Sequence, residues 1–194
     1  SITIPDSVTS IDYAAFYDCD SLTSVTIPDS VTYIDEAVFQ FCFSLTGIWV
    51  DENNSYYSSD ENGVLFDKGK TMLIQAPGAI SGGYVIPSTV TSINNNAFQR
   101  CRGLTSVTIP DSVTSIGYEV FNGCGLTSIT IPDGVTYIGD NAFTATHLTE
   151  LYIPKGIWII CISVLRVTLV WPKKVEVIVI SHWGIFGELN GFIH

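Results

Sequence analysis

The apolar and polar positions of this chain follow a short pattern that begins with L-x-x-V-x-I. In LTSVTIPDSVTSI, Leu22, Val25 and Ile27 are separated by Thr23, Ser24 and Thr26. That spacing sends three side chains to the inner face of a short strand and the hydroxyl residues outward, and β-branched Val, Ile and Thr suit extended backbone. Pro28 removes a backbone donor and Asp29-Ser30 supplies turn chemistry, so the strand is predicted to end there. Val31 and Ile34 face inward from a second short extended piece. Residues 35–42 close the unit in what reads as a helical turn, with Phe39 as a large core plug. Phe16, Phe98, Phe121 and Phe143 fall in the same slot.

The unit recurs along the chain. SITIPDSVTSIDYAAFYDCDSL, SVTIPDSVTYIDEAVFQFCFSL, YVIPSTVTSINNNAFQRCRGL, SVTIPDSVTSIGYEVFNGCGL and SITIPDGVTYIGDNAFTATHL are copies of it. The Ile-Pro prolines stand at Pro5, Pro28, Pro87, Pro110, Pro132 and Pro154, separated by 23, 59, 23, 22 and 22 residues. A fixed period of this length predicts a solenoid in which each unit buries its apolar face against its neighbours. The expected fold is a β-rich α/β repeat solenoid forming a single domain over residues 1–194. Regular repeats occupy 1–50 and 87–154, a repeat with a hairpin-like insertion occupies 51–86, and 155–194 form a degenerate or capping tail. In the insertion, Asp60-Glu61-Asn62-Gly63 and Asp67-Lys68-Gly69-Lys70 are turn signals flanking VLF and TMLI. This reads as a hairpin that widens one coil while the stack stays continuous. In the tail, residues 154–160 and 172–178 still mirror P-D-S-V-T-S-I, which suggests two eroded repeats; a truncated or frame-shifted end is the alternative. The apolar run 156–171 is interrupted by Ser163, Arg166 and Thr168 and is too short and polar for a membrane span.

Charge narrows the partners. The net charge is −11, and residues 1–67 hold every one of their charges as Asp or Glu. Such a surface repels phosphate backbones and anionic membranes, so neither nucleic acid nor membrane insertion is expected. The chain opens inside a repeat at Ser1, which reads as a fragment or processed form. Cys19, Cys42, Cys101 and Cys124 share one slot with Thr146, which asks for a small group in a crowded interior. A ladder of buried free thiols is therefore expected rather than disulfides or zinc.

The unit L-x-x-[VI]-x-IP-x-x-V-T-x-I-x-x-x-A-F-x-x-C resembles the leucine-rich repeat of the BspA type over residues 1–154. The resemblance implies 22–23-residue units with short parallel strands on the concave face and short extended or helical turns on the other. It also implies a non-catalytic, adhesin-like module, on the cell surface or secreted, that binds a host or extracellular-matrix protein. A structural or self-associating solenoid without a specific ligand, joined through the hydrophobic tail, is the alternative. Outward strand positions form the expected binding face: Thr26, Trp49, Thr108, Thr130 and Tyr152. Aromatics on such a row suit hot spots, though Trp49 could equally cover a gap beneath the insertion. Tyr56, Tyr57, Asp60 and Glu61 form a second candidate surface, for a basic partner. A loose calcium site at Asp51, Glu52, Asp60 and Glu61 is a lesser reading, since the EF-hand spacing fails at Tyr56 and Asn62. No catalytic residues and no cofactor are expected: His147, His182 and His194 lie in no nucleophile or metalloprotease motif, and Ser and Thr at repeat positions read as surface filler.

Overall fold

The computed structural model describes residues 1–152, together with the backbone of three later strands. The first coil holds β1 (Ile2–Thr3) and β2 (Ser10–Ile11), and the second holds β3 (Ser24–Ile27) and β4 (Tyr33–Ile34). The third is enlarged: β5 (Gly47–Val50), β6 (Tyr57–Ser59), β7 (Leu65–Asp67) and β8 (Met72–Gln75). Coils four to six carry β9 (Ser81–Val85) and β10 (Ser92–Ile93), β11 (Gly103–Thr108) and β12 (Ser115–Ile116), β13 (Ser128–Thr130) and β14 (Tyr137–Ile138). After β15 (Glu150–Tyr152), the strands β16 (Ile159–Ile160), β17 (Thr168–Val170) and β18 (Ile178–Val179) add to the same ladders, in parallel. Other features of the tail lie outside the described residues.

Like residues of successive repeats sit side by side: Val25 pairs with Ile48, Ser92 with Ser115, and Val107 with Ile129. The inward positions Val25, Ile27, Val31 and Leu45 are fully buried. Phe16 and Phe39 stack at 5.5 Å, and Phe98, Phe121 and Phe143 continue as a second column at 5.3 and 5.5 Å. Burying rings of this size supplies a large share of the apolar free energy.

The hydroxyl residues do more than fill a surface. Thr32, Thr91, Thr114 and Thr136 each donate from Oγ1 to a threonine carbonyl of the preceding coil at 3.2–3.3 Å. Ser30 and Ser112 do the same to Val8 and Val90 at 2.7 Å. The repeated Thr and Ser therefore clamp coil to coil.

The turn that closes each unit is not helical, and no helix occurs among the described residues. Two positions per lobe, two residues before and two after the Phe plug, adopt left-handed backbone. They are Ala14 and Asp18, Ala37 and Phe41, Asn96 and Arg100, Glu119 and Gly123, Asn141 and Ala145. Interrupting the right-handed backbone turns the intervening amides toward the next coil. The N–H groups of Ala14, Phe16 and Asp18 donate to Glu36, Val38 and Gln40 at 3.3, 3.0 and 2.9 Å. Those of Asn96, Phe98 and Arg100 donate likewise to Tyr118, Val120 and Asn122. A helix would spend these donors internally and leave the lobes unlinked.

The insertion enters the stack as a meander. β6 and β7 pair antiparallel, β7 and β8 pair antiparallel, and β8 rejoins the parallel ladder at β10. β7 is the seam between two core clusters: Leu65 belongs to the N-terminal one, Val64 and Phe66 to the C-terminal one, all fully buried. Asn54 locks the entry. It is wholly buried, donates from Nδ2 to the carbonyls of Pro28 (2.8 Å) and Val31 (2.9 Å), and accepts from the N–H groups of Tyr56 and Tyr57 at 2.8 and 2.9 Å. Asn54→Ala leaves those four backbone groups without partners, and about 2–4 kcal/mol of stability should be lost. Urea unfolding checks this; a loss below about 0.5 kcal/mol would show that water replaces the amide freely.

Candidate functional site

All five residues of the expected strand row are exposed. They lie in two stretches, not one. Thr3, Thr26 and Trp49 are lateral neighbours across β1, β3 and β5. Val85, Thr108 and Thr130 are neighbours across β9, β11 and β13, and Tyr152 stands on β15. Between the stretches lies the tip of the insertion: Gly63, at φ 68°, accepts from Ile48 N–H at 2.9 Å, with its Cα surface hard against Gly47. Val85, at 70% exposure, joins the face in a position the sequence pattern did not single out.

Trp49 is 39% exposed. Its indole folds over Gly47, where a Cβ would come within 2.6 Å of the ring. Glycine replaces the Ser24 of the preceding coil at this register position, which makes room for the ring to lie flat. The indole so seated keeps part of its apolar surface in solvent beside Thr26, and an aromatic ring has few side-chain torsions to lose on binding.

The second predicted surface is divided between structure and solvent. Tyr57 accepts from Ile34 N–H at 2.9 Å through its hydroxyl, and burial raises its pKa. Asp60 accepts from Asn62 and Val64 N–H through Oδ1 at 3.0 and 2.9 Å, and from the Tyr84 hydroxyl through Oδ2 at 2.6 Å. Burial first, then the Asp60 hydrogen bond, pushes the Tyr84 phenol well above its usual value. Both residues thus join the insertion to the flanking coils, while Tyr56 and Glu61 remain exposed. Asp51 caps its own turn, accepting from Asn53, and among the described residues no three of His, Cys, Asp and Glu gather as a metal would require.

Two surfaces were not read from the sequence. On the shorter-strand side, Met72 and Tyr137 flank Ser92 and Ser115 around a shallow groove of about 230 Å³. The signal was present: Tyr33 and Tyr137 occupy a slot that is Ser10, Ser92 or Ser115 elsewhere. On the lobe side, Arg100 and Arg102 lie over the rings of Phe41 and Phe43, each 5.2 Å from the centroid.

The cysteine ladder consists of free thiols, with Cys42, Cys101 and Cys124 buried and Cys19 half-buried. Cys42 and Cys124 donate S–H to the plug carbonyls of the preceding coil, Phe16 and Phe98, at 2.9 and 2.8 Å. Behind Cys101 the enlarged coil offers Pro77 O, at 3.7 Å, in that place. Burial pushes the Cys124 thiol up to about 12 and Cys101 well above its ordinary value. These are neutral core groups with none of the thiolate character a nucleophile needs. A thiol raised in the folded state from an ordinary value of 9.0 stabilises fully below pH 9.0. That stability is then lost as pH climbs toward the folded pKa. Unfolding free energy, and with it the urea midpoint, should therefore fall as pH rises from about 9 to about 12. Cys124→Ala should flatten that slope; an unchanged slope would assign alkaline unfolding to Cys101 and Cys42 or to the tyrosines.

The described residues hold no helix long and apolar enough to cross a membrane. A family model described as BspA type leucine rich repeat region matches residues 1–61 and 83–168, in six copies. The gap in that match falls within the insertion. A leucine-rich cell surface protein from Faecalibacterium prausnitzii is similar at 35% identity and TM-score 0.72, over 80% of this chain and 41% of that one. A leucine-rich repeat protein from Eubacterium ventriosum is similar at 30% identity and TM-score 0.70, over 81% and 46%. The pneumococcal vaccine antigen PcpA shares the fold at 23% identity and TM-score 0.64, over 71% and 40%. This chain therefore spans less than half the length of each. No curated protein matches it.

Proposed function

Because this chain belongs to the BspA-type leucine-rich-repeat family, we propose that it is a non-catalytic recognition module of a cell-surface protein, binding a host or matrix protein through the strand face that carries Trp49. The observation that carries this reading is the exposed indole seated on Gly47, an aromatic beside the hydroxyl residues Thr3 and Thr26. Interfaces concentrate their free energy at such anchors, while the neighbouring Thr3 and Thr26 supply hydrogen bonds and exclude water, and Thr108 and Thr130 extend the face beyond the insertion tip. Description of the Faecalibacterium relative as a cell surface protein supports the location. Repeat solenoids of this class work by presenting an extended face, and the buried thiols here are spent on the fold.

The test is solution binding of the purified chain to a panel of extracellular-matrix and plasma proteins. Trp49→Ala should weaken saturable binding by about 30-fold or more, the effect of removing a hot-spot anchor. With the ring 39% exposed, truncation removes some packing as well as the anchor, so binding is compared at a temperature where melting shows both proteins folded. Binding that survives the substitution would move the interface off this face. Binding to no panel member would favour a structural module.

A further inference from the structure

The lobe side carries a charge pattern set by the shortened turn of the enlarged coil. Coil three passes from β8 to β9 through Ala76, Pro77 and Gly78, beneath the Cys42 carbonyl and without a Phe-plug lobe. The lobes of coils two and four consequently close over it. Asn95 donates to Glu36 across 59 residues of sequence, and Arg100 and Arg102 reach Phe41 and Phe43. Coil one adjoins on the other side, where Asp18 N–H donates to Gln40 O at 2.9 Å and Tyr17 meets Phe41 edge-on at 5.0 Å. The slots two and four residues after the plug thus read, in spatial order, Asp18 and Asp20, then Phe41 and Phe43, then Arg100 and Arg102. The four charged residues are exposed and the two phenylalanines half-buried.

The geometry points to an antiparallel, two-fold contact between two copies of this chain along this ridge. A two-fold axis through the Phe41–Phe43 lobe sets each copy's Asp18 and Asp20 against the other's Arg100 and Arg102, with the phenylalanines meeting at the centre. The sequence acid–aromatic–cation is its own complement when reversed, which is what an isologous interface requires. Within one chain the two charged lobes cannot meet, because the aromatic lobe stands between them. Among the described residues the arginines rest on rings, and such stacking fixes the guanidinium planes while leaving their N–H edges to receive a carboxylate. The chain's net charge of −11 makes indiscriminate self-association unfavourable, so contact is confined to where opposite signs register. This ridge is separate from the strand face that carries Trp49, so either assignment can fail alone.

Sedimentation equilibrium tests it, from about 1 µM to about 1 mM, the range in which a contact of this size is populated. The wild-type chain should show a monomer–dimer equilibrium. R100D/R102D should abolish it, and so should D18R/D20R, each by placing like charges face to face. The four-fold charge-swapped chain should regain it. Position 18 is left-handed in aspartate and position 100 in arginine, so the swaps place in each slot a residue type the same slot already holds elsewhere. Melting of each variant confirms the fold. Three results would overturn the contact: a wild-type chain monomeric throughout, association indifferent to R100D/R102D, or failure of the combined swap to restore it. A monomeric chain that instead binds heparin through these arginines would overturn it in favour of an acidic polymer.

Discussion

Everything in this molecule depends on hydrogen bonds between equivalent backbone positions of successive coils. Side chains in a solenoid bury themselves only against like side chains one period away, so register is the constraint all else must satisfy. Strand ladders meet it on two sides. On the third side the chain accepts left-handed backbone at ten lobe positions among the described residues, nine of them not glycine, to aim its amides along the stack. Each non-glycine residue there costs roughly 1–2 kcal/mol in isolation. The inter-coil bonds and the stacked phenylalanines above them offset that cost. Buried thiols, threonine clamps and serine clamps then fill the donors and acceptors that remain.

Much of this was legible in the sequence. The L-x-x-V-x-I strand, the proline stop, the phenylalanine column and the thiol slot all stand where the period puts them, because each is a property of a single unit. The helical turn was wrongly read, since residues 35–42 contain no glycine or proline and nothing local marks Ala37 and Phe41 as left-handed. That conformation is imposed by the neighbouring lobe. The hydroxyl residues were taken for surface filler for a similar reason: their carbonyl partners lie a full period away.

Of the candidate residues, Trp49 was legible because an aromatic in a hydroxyl slot breaks a pattern. Its seat on Gly47 could be seen only in three dimensions. Tyr57 and Asp60 read as surface because they occupy a polar, turn-rich segment. Their partners Ile34 and Tyr84 belong to coils on either side of the insertion, so their work as fasteners emerges from assembly. Nothing in the sequence marks Arg100 and Arg102, because the short β8–β9 turn that lets them reach Phe41 and Phe43 is invisible in a count of residues.

The enlarged coil has a mechanical meaning. Between β5 and β9 it inserts the 60–64 tip, while on the lobe side it withdraws and lets coils two and four touch. The layer is thick at one edge and thin at the other, a keystone in the column. One hairpin thus does two things at once, holding β5 away from β9 on the strand face and bringing Phe41 and Phe43 to Arg100 and Arg102 on the lobe face. The break that divides the strand face in two therefore belongs to that hairpin and to no regular repeat.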